Sequence, residues 1–233
     1  MIKILHSDDY CILVSKPNNV LVHHAHHSRN KIDEDSLLQL LEQQGITKCY
    51  PVHRLDRKTS GIILLAKKTE YVSKFQALFT EQQIDKIYYA VVRGWAPQSR
   101  VIDSPVKGRD ADVYKDAETH VRLLATKSLN IAVGPYKSSR YSMVELRPKT
   151  GRLHQLRIHL NKISYPLIND PKYGDKNHNV MYEKKFGWNK MFLHAGSLKF
   201  KHPFTNQDLC FDADFPKDWM ELFKEFNWEN PLT

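Results

Sequence analysis

The strongest constraint on the fold of this chain is a polar nonapeptide that leads directly into an apolar segment. Residues 53–61 read His-Arg-Leu-Asp-Arg-Lys-Thr-Ser-Gly, and residues 62–66 read Ile-Ile-Leu-Leu-Ala. An unbroken apolar run of this kind is typical of a strand that is buried on both faces. We therefore expect a highly charged loop at the entrance of a core strand.

Asp56 lies at the centre of this loop, with Arg54, Arg57 and Lys58 within two positions of it. Nearby cations favour the ionised form of a carboxyl group, which suits a nucleophile and argues against a general acid. The alternative is a structural carboxylate that caps the backbone or pairs with a basic neighbour, and from local sequence alone that role is the more common one.

The nonapeptide resembles the catalytic signature of the RluA-type family of pseudouridine synthases. Further blocks that resemble the family follow in the family's order and span most of the chain, at residues 86–94, 149–160, 165–174 and 192–195. A nearer likeness, to the TruC subgroup that modifies position 65 of tRNA, is carried by residues 148–152, 202–205 and 226–228. The resemblance implies an isomerase that converts uridine to pseudouridine in tRNA, with position 65 as the expected target.

The resemblance also implies the roles of four residues. Asp56 corresponds to the essential catalytic Asp, and Arg157 to the Arg that pairs with it. Tyr88 corresponds to the ring that stacks on the target base, and Arg54 to a residue that occupies or lines the space left by the flipped nucleotide. Base flipping is expected because a base inside a duplex is out of reach. The sequence leaves open whether Asp56 attacks the sugar, attacks the ring or assists the departure of uracil.

The local patterns around Tyr88 and Arg157 are compatible with these roles. The alternation in residues 86–92 predicts a strand with Tyr88 and Ala90 on one face, opposite Tyr89. Without the resemblance, core packing would be the better interpretation of Tyr88. Residues 151–160, which Thr150 is expected to cap, predict a helix with Arg157 at the edge of a leucine stripe, and the alternative is an exposed Arg.

Composition favours an anionic partner. The chain has 233 residues, a formal net charge of +9 and 41% hydrophobic residues. Charge alone is weak evidence for nucleic-acid binding, but it agrees with tRNA as the partner. The three cysteines are widely spaced without a CxxC pair, and no Gly-rich phosphate loop is present. We therefore expect reduced thiols, no small-molecule cofactor and no metal.

Residues 23–27, His-His-Ala-His-His, suggest a metal site as an alternative. No cluster of cysteines or carboxylates accompanies these histidines. Because Arg29 and Lys31 follow closely, contact with RNA phosphates is the preferred interpretation.

The succession of short β-like runs and amphipathic helices predicts the α+β class. The resemblance specifies a pseudouridine synthase fold, with a largely antiparallel mixed sheet flanked by helices and a central catalytic cleft. We expect residues 1–233 to form one catalytic domain without a separate N-terminal RNA-binding module, and residues 96–120 to be rich in loops. The sequence has neither a signal peptide nor a run of ~20 apolar residues. It therefore predicts a cytoplasmic protein without membrane association, and we expect a monomer.

Three alternatives remain open. The first is the same reaction on ribosomal RNA, because the catalytic blocks are shared across the family. The second is a noncatalytic tRNA-binding or folding module that has kept the scaffold. The third is a metallohydrolase that uses the histidines of residues 23–27.

Overall fold

The computed structural model describes residues 1–24, 34–108 and 113–233. The chain divides into two compact units: unit 1 comprises Met1–Lys86 and Ala195–Pro216, and unit 2 comprises Ile87–His194 and Lys217–Thr233. The described helices are α1 (Leu37–Gln43), α2 (Thr69–Thr80), α3 (Gln155–Lys162), α4 (Lys176–Phe186) and α5 (Lys217–Phe226). The described strands are β1 (Lys3–Ser7), β2 (Cys11–Lys16), β3 (Tyr50–Pro51), β4 (Ser60–Ala66), β5 (Ile84–Arg93), β6 (Ser99–Asp103), β7 (Val106–Lys107), β8 (Tyr114–Lys115), β9 (Glu118–Leu129), β10 (Ser139–Pro148), β11 (Leu193–Lys201) and β12 (Asp208–Asp212).

Unit 1 is built around β4. Its strands follow the order β1–β2–β4–β11, with β3 also paired with β4 and β12 paired with β11. The strands β2 and β4 pair antiparallel, from Cys11 opposite Ala66 to Lys16 opposite Gly61. Every residue of β4 is buried, which confirms the prediction from residues 62–66.

Two helices pack in unit 1. The Ser36 hydroxyl accepts the Gln39 backbone N–H while the Gln39 side chain accepts the Ser36 N–H, so α1 starts with a capping box. Helix α2 starts at Thr69 and buries Phe75 and Leu78. The short apolar run of residues 20–22 is typical of a strand, but the carbonyls of Leu21 and Val22 instead accept the first backbone N–H groups of α1.

Unit 2 contains the antiparallel order β5–β10–β9–β6 and a separate two-stranded sheet of β7 and β8. One face of this sheet, with Ala90, Val144 and Leu146, forms a core together with Leu156 and Leu160 of α3. On the other face, Tyr141 of β10 contacts the rings of Tyr182 in α4 and Phe226 in α5. Helix α5 buries Trp219, Leu222, Phe223 and Phe226, as its apolar stripe predicts.

The α+β class with a large, mostly antiparallel sheet is confirmed. The expectation of a loop-rich segment at residues 96–120 is wrong in part, because β6, β7 and β8 lie there. The expectation that residues 1–233 form one catalytic domain stays a prediction. Among the described residues, each helix is too short or too polar to cross a membrane.

Candidate active site

The loop of residues 53–61, which we call the Asp56 loop, connects β3 to β4 in unit 1. Asp56 is half-buried in it, whereas Arg54 is exposed. The Asp56 carbonyl accepts the Thr59 backbone N–H at 3.0 Å, which closes a turn directly after the carboxylate. A half-buried carboxylate on a closed turn is accessible to a ligand, and the turn fixes the backbone that carries it.

Gly61 closes the Asp56 loop against β11. Its φ is +109°, and a Cβ at this position would lie 2.1 Å from the carbonyl oxygen of Ala195. A side chain is therefore excluded both by backbone conformation and by contact with the neighbouring strand. This packing therefore requires a glycine at the last position of the nonapeptide.

The Lys16 side chain supports the Asp56 loop through a hydrogen bond to its backbone. The sequence analysis did not identify Lys16. Its side chain is fully buried. Its Nζ donates to the carbonyls of Pro17 (2.8 Å), Val20 (2.8 Å) and Arg57 (3.1 Å). Burial lowers the pKa of Lys16 to about 7; the Asp56 carboxylate acts in the opposite direction, and Arg57 adds to the lowering. Because Arg57 directly follows Asp56, the ammonium fixes the backbone beside the candidate catalytic group.

His53 has a structural role at the start of the Asp56 loop. Its Nε2 accepts the Leu64 backbone N–H at 3.0 Å, and its ring stacks on Phe79 with the centroids 4.5 Å apart. Burial, reinforced by the charge of Lys86, lowers the pKa of His53 to about 3. The ring therefore stays neutral at physiological pH and holds β4 in place.

The Arg57 side chain makes structural contacts within unit 1. Its Nε donates to the Asn19 carbonyl at 2.9 Å, and its guanidinium pairs with Glu34. Of the basic residues that the sequence places near Asp56, Arg57 is thus used to join the loop to neighbouring segments of unit 1.

Tyr88 lies in unit 2, on β5, opposite Leu146 of β10. It is half-buried and packs against the core that includes Leu156 and Leu160 of α3. Tyr89 is buried, and as the next residue of the strand it faces the opposite side of the sheet. The predicted alternation is confirmed, and Tyr88 is the tyrosine that shares a face with α3.

Arg157, on α3 of unit 2, is 5% exposed, so the alternative of an exposed Arg is wrong. Its Nε and Nη2 donate to the two carboxylate oxygens of Asp170 at 2.7 and 2.8 Å. Such a bidentate pair fixes the plane of the guanidinium. The predicted partner, Asp56, belongs to the other unit, and that pairing stays a prediction.

Asp170 is a residue that the sequence analysis missed, although it lies within the block 165–174. Besides Arg157, it accepts the backbone N–H groups of Lys172 (2.9 Å) and Tyr173 (3.1 Å) through Oδ1. Burial raises its pKa, but the hydrogen bonds and charge of Arg157 outweigh burial and hold the pKa of Asp170 below its usual value. A buried Arg needs an anion, and this need was the signal available in the sequence.

The turns on either side of α3 depend on left-handed backbone. The helix begins at Gln155, after His154 at φ +55°, rather than directly after Thr150 as expected; the Thr150 hydroxyl instead donates to Gln155 Oε1 at 2.6 Å. Asn169 has φ +62°, a left-handed conformation that Asn tolerates nearly as well as Gly. Its side-chain amide donates to the carbonyls of Trp188 and Lys190.

The metal alternative involves residues 23–27, of which His23 and His24 are described and residues 25–27 lie outside the described residues. Elsewhere in the described chain, His6, Asp8 and Cys11 have ligand atoms within 4.8 Å of one another. Asp8 Oδ1 accepts the N–H groups of Tyr10 and Cys11. Burial, followed by the Asp8 charge, raises the pKa of the Cys11 thiol, so this thiol favours the protonated form, which is a poor ligand. The group is better explained as a hydrogen-bonded turn.

With this geometry established, we compared the chain with known proteins. The family model described as RNA pseudouridylate synthase matches residues 9–162. The chain belongs to the RNA pseudouridylate synthase family. The matched range contains Asp56, Tyr88 and Arg157, and membership confirms the prediction of an isomerase.

Curated members of the family match along the whole chain. The tRNA pseudouridine synthase C of Vibrio cholerae serotype O1 is 36% identical over 100% of this chain and 98% of that protein. The protein of the same name from Salmonella typhi is 37% identical over 100% of this chain and 92% of that protein.

Solved structures of pseudouridylate synthases also match. Human RNA Pseudouridylate Synthase Domain Containing 4 superimposes with a TM-score of 0.74 at 25% identity, covering 98% of this chain and 94% of that chain. Human RNA Pseudouridylate Synthase Domain Containing 1, at 20% identity and a TM-score of 0.70, covers 97% of this chain and 95% of that chain and supports the fold. The expected pseudouridine synthase fold is confirmed.

Proposed function

We propose that this chain is a tRNA pseudouridine synthase that isomerises uridine at position 65 of tRNA. The observation that supports this most strongly is the 36% identity to a tRNA pseudouridine synthase C over the full length of the chain. The formal net charge of +9 is compatible with an RNA partner. Position 65 comes from the likeness of residues 148–152, 202–205 and 226–228 to the TruC subgroup.

The reaction rearranges one nucleotide. The bond between N1 of uracil and C1′ of ribose breaks, a bond between C5 and C1′ forms, C5 loses a proton and N1 gains one. Atoms and oxidation state are conserved between uridine and pseudouridine, and our proposal includes neither a cofactor nor a metal. The uridine must leave its stack, which costs a few kcal/mol that contacts with the enzyme offset.

In this proposal Asp56 is the catalytic carboxylate, and Arg157 pairs with it and keeps it charged. Tyr88 stacks on the uracil, and Arg54 lines the space left by the flipped nucleotide. Three observations support these roles. Asp56 is half-buried on a loop held by Lys16, Arg157 is fixed by Asp170, and Tyr88 is only partly buried. We further propose that residues 1–233 act as one catalytic domain, as a monomer in the cytoplasm.

The test combines a pseudouridine map with one substitution. Total RNA from cells with and without the protein should differ at position 65 of tRNA, and the purified protein should release tritium from tRNA labelled at C5 of uridine. Asp56→Asn should lower this rate on the order of 10⁴-fold, the scale on which removal of a catalytic carboxylate acts, and leave tRNA affinity within a few-fold. The exposed carboxylate of Asp85 provides the control, since Asp85→Asn should react as the wild type does.

Two outcomes would contradict the proposal. Wild-type turnover by Asp56→Asn would remove Asp56 from the mechanism. A map in which the lost pseudouridine lies in ribosomal RNA, with every tRNA unchanged, would refute the tRNA substrate.

A further inference from the structure

Trp95 is an exposed aromatic side chain in a chain that otherwise buries its tryptophans. Its exposed fraction is 50%, whereas Trp188, Trp219 and Trp228 are 5%, 2% and 8% exposed. Trp95 follows β5 in unit 2, two residues after Arg93. An indole in this setting is available for contact with a ligand.

Arg140 covers the Trp95 ring. Its guanidinium carbon lies 4.3 Å from the centroid of the indole, and Arg140 is itself exposed. The pair thus presents two planar groups, which stack favourably on each other and on a further ring.

The backbone beneath this pair is fixed by three hydrogen bonds. The Gly94 N–H donates to the Arg140 carbonyl at 2.7 Å. The Ser142 hydroxyl accepts the Ala96 N–H at 2.9 Å and donates to the Gly94 carbonyl at 2.8 Å. The two planes are therefore held on strand ends rather than on a free loop, which lowers the entropy lost on binding.

The surroundings of the pair are basic and aromatic. Residues 94–98 and 134–140 contain Lys137 and Arg140 but neither Asp nor Glu. Tyr136, in the turn that Val133 closes, is 70% exposed. Asp175 is paired with Arg93 nearby, which leaves Lys137 and Arg140 as the exposed charges of these two segments. Cations combined with exposed rings are the features with which proteins hold single-stranded nucleic acid.

The pair also lies on the same face of the sheet as Tyr88. Leu146 is the cross-strand partner of Tyr88 on β10, and Arg140 is six residues from Leu146 on the same strand. Because side chains alternate, residues 140 and 146 point to the same face, separated by about 20 Å along the strand. Between them this face is covered by α3, so the pair lies beyond the covered core, at the opposite end of the face from Tyr88.

We propose that Trp95 and Arg140 form a stacking platform for an unpaired base of the bound RNA, outside the catalytic pocket. This inference rests on the proposed function, since it assumes an RNA substrate. The base stacks on the exposed plane of the indole or of the guanidinium, and Lys137 supplies a positive charge near its phosphate. Bases of any identity fit, because each has a planar face.

The experiment measures binding of a short single-stranded oligouridine and of tRNA to Trp95→Leu, Trp95→Phe and Arg140→Lys. Trp95→Leu should raise Kd for the oligouridine, and KM for tRNA, about tenfold, with kcat at saturating tRNA unchanged. The salt dependence of binding should keep its slope because no cation is lost. Trp95→Phe should restore most of the affinity. Arg140→Lys should weaken binding because an ammonium keeps the charge but lacks the plane.

Met220 on α5, which is 48% exposed, gives a matched control: Met220→Ala should bind as the wild type does. Unchanged oligouridine affinity in Trp95→Leu overturns the platform. Full affinity in Arg140→Lys also overturns it, because only the positive charge of residue 140 would then contribute to binding. An oligouridine affinity of Trp95→Phe as low as that of Trp95→Leu also overturns the platform, since stacking would then play no part.

The outcomes separate this inference from the proposed function, because oligouridine binding needs no turnover. If the wild-type protein modifies tRNA while Trp95→Leu binds oligouridine normally, the proposed function stands and the platform is overturned. If the wild-type protein modifies no tRNA while Trp95→Leu loses oligouridine binding, the platform stands and the proposed function is wrong.

Discussion

Lys16 in unit 1 and Arg157 in unit 2 are both buried cations beside candidate catalytic elements, but their acceptors differ. Lys16 donates to three neutral backbone carbonyls. Arg157 donates to both carboxylate oxygens of Asp170. One cation is thus satisfied by dipoles and the other by a full negative charge.

This difference determines how firmly each charge is held. Carbonyls do not balance the desolvation of an ammonium, and burial lowers the pKa of Lys16 to about 7. The guanidinium keeps its proton at any physiological pH, and the Arg157–Asp170 pair stays ionised because the pKa of Asp170 is lowered. Unit 2 therefore carries a permanent ion pair, whereas Lys16, which holds the Asp56 loop, loses its positive charge as pH rises above neutrality.

The largest expected effect is on unit 2. Asp170→Ala leaves the Arg157 guanidinium buried without this carboxylate and should lower the free energy of unfolding by about 3–5 kcal/mol, the usual consequence of breaking a buried ion pair from one side. Urea unfolding followed by circular dichroism measures this loss.

Two variants sharpen that result. Glu225→Ala removes an exposed carboxylate of α5 and should change stability by less than about 0.5 kcal/mol. The double variant Arg157→Met/Asp170→Leu should recover most of the stability, because both charges leave together, and yet remain inactive. Recovery of activity in the double variant would show that Arg157 has no part in catalysis.

The second effect is on unit 1 and concerns rate. Lys16→Met keeps the apolar stem but removes the donor to the Arg57 carbonyl. A displacement of the neighbouring Asp56 by about 1 Å is enough to lower kcat up to about 100-fold. We expect kcat to decrease roughly 10- to 100-fold in the tritium-release assay, with tRNA affinity nearly unchanged.

Lys201→Met is the matched control, since Lys201 is exposed on β11 of the same unit. It should retain wild-type kcat. Equal kcat in Lys16→Met and Lys201→Met would mean that the buried ammonium does not position the Asp56 loop.

The same comparison shows what the sequence could predict. Local patterns were sufficient where one segment determines its own environment. The run of residues 62–66 predicted β4, and the alternation of residues 86–92 predicted that Tyr88 and Ala90 share a face opposite Tyr89. In each case the relevant partner is within a few residues.

Sequence analysis failed where the partner is distant or the environment is unusual. Lys16 lies next to Pro17 in what reads as a polar turn, and nothing local indicates that its Nζ reaches Arg57, 41 residues away. Asp170 is 13 residues from Arg157, across turns whose course depends on two left-handed residues, Ser164 and Asn169. Residues 96–120 were read as loops because their strands β6, β7 and β8 are short or exposed.

The smallest effect, taken over a single pH unit, is the pH dependence of stability that Lys16 introduces. Its pKa is about 7 in the folded chain, against an ordinary value of 10.5. Between these values the unfolded chain binds more protons, so the free energy of unfolding gains up to about 1.4 kcal/mol per pH unit from Lys16 as pH rises. The raised pKa values of Cys11 and Tyr141 act in the opposite direction, but both groups are also present in Lys16→Met, so their contributions cancel in a comparison of the two proteins.

The difference in the free energy of unfolding between the wild type and Lys16→Met, measured by urea unfolding, should therefore rise from pH 7 to about pH 10.5. A difference that stays flat would show that the three carbonyls hold the proton as firmly as water does, and the contrast between Lys16 and Arg157 would then disappear.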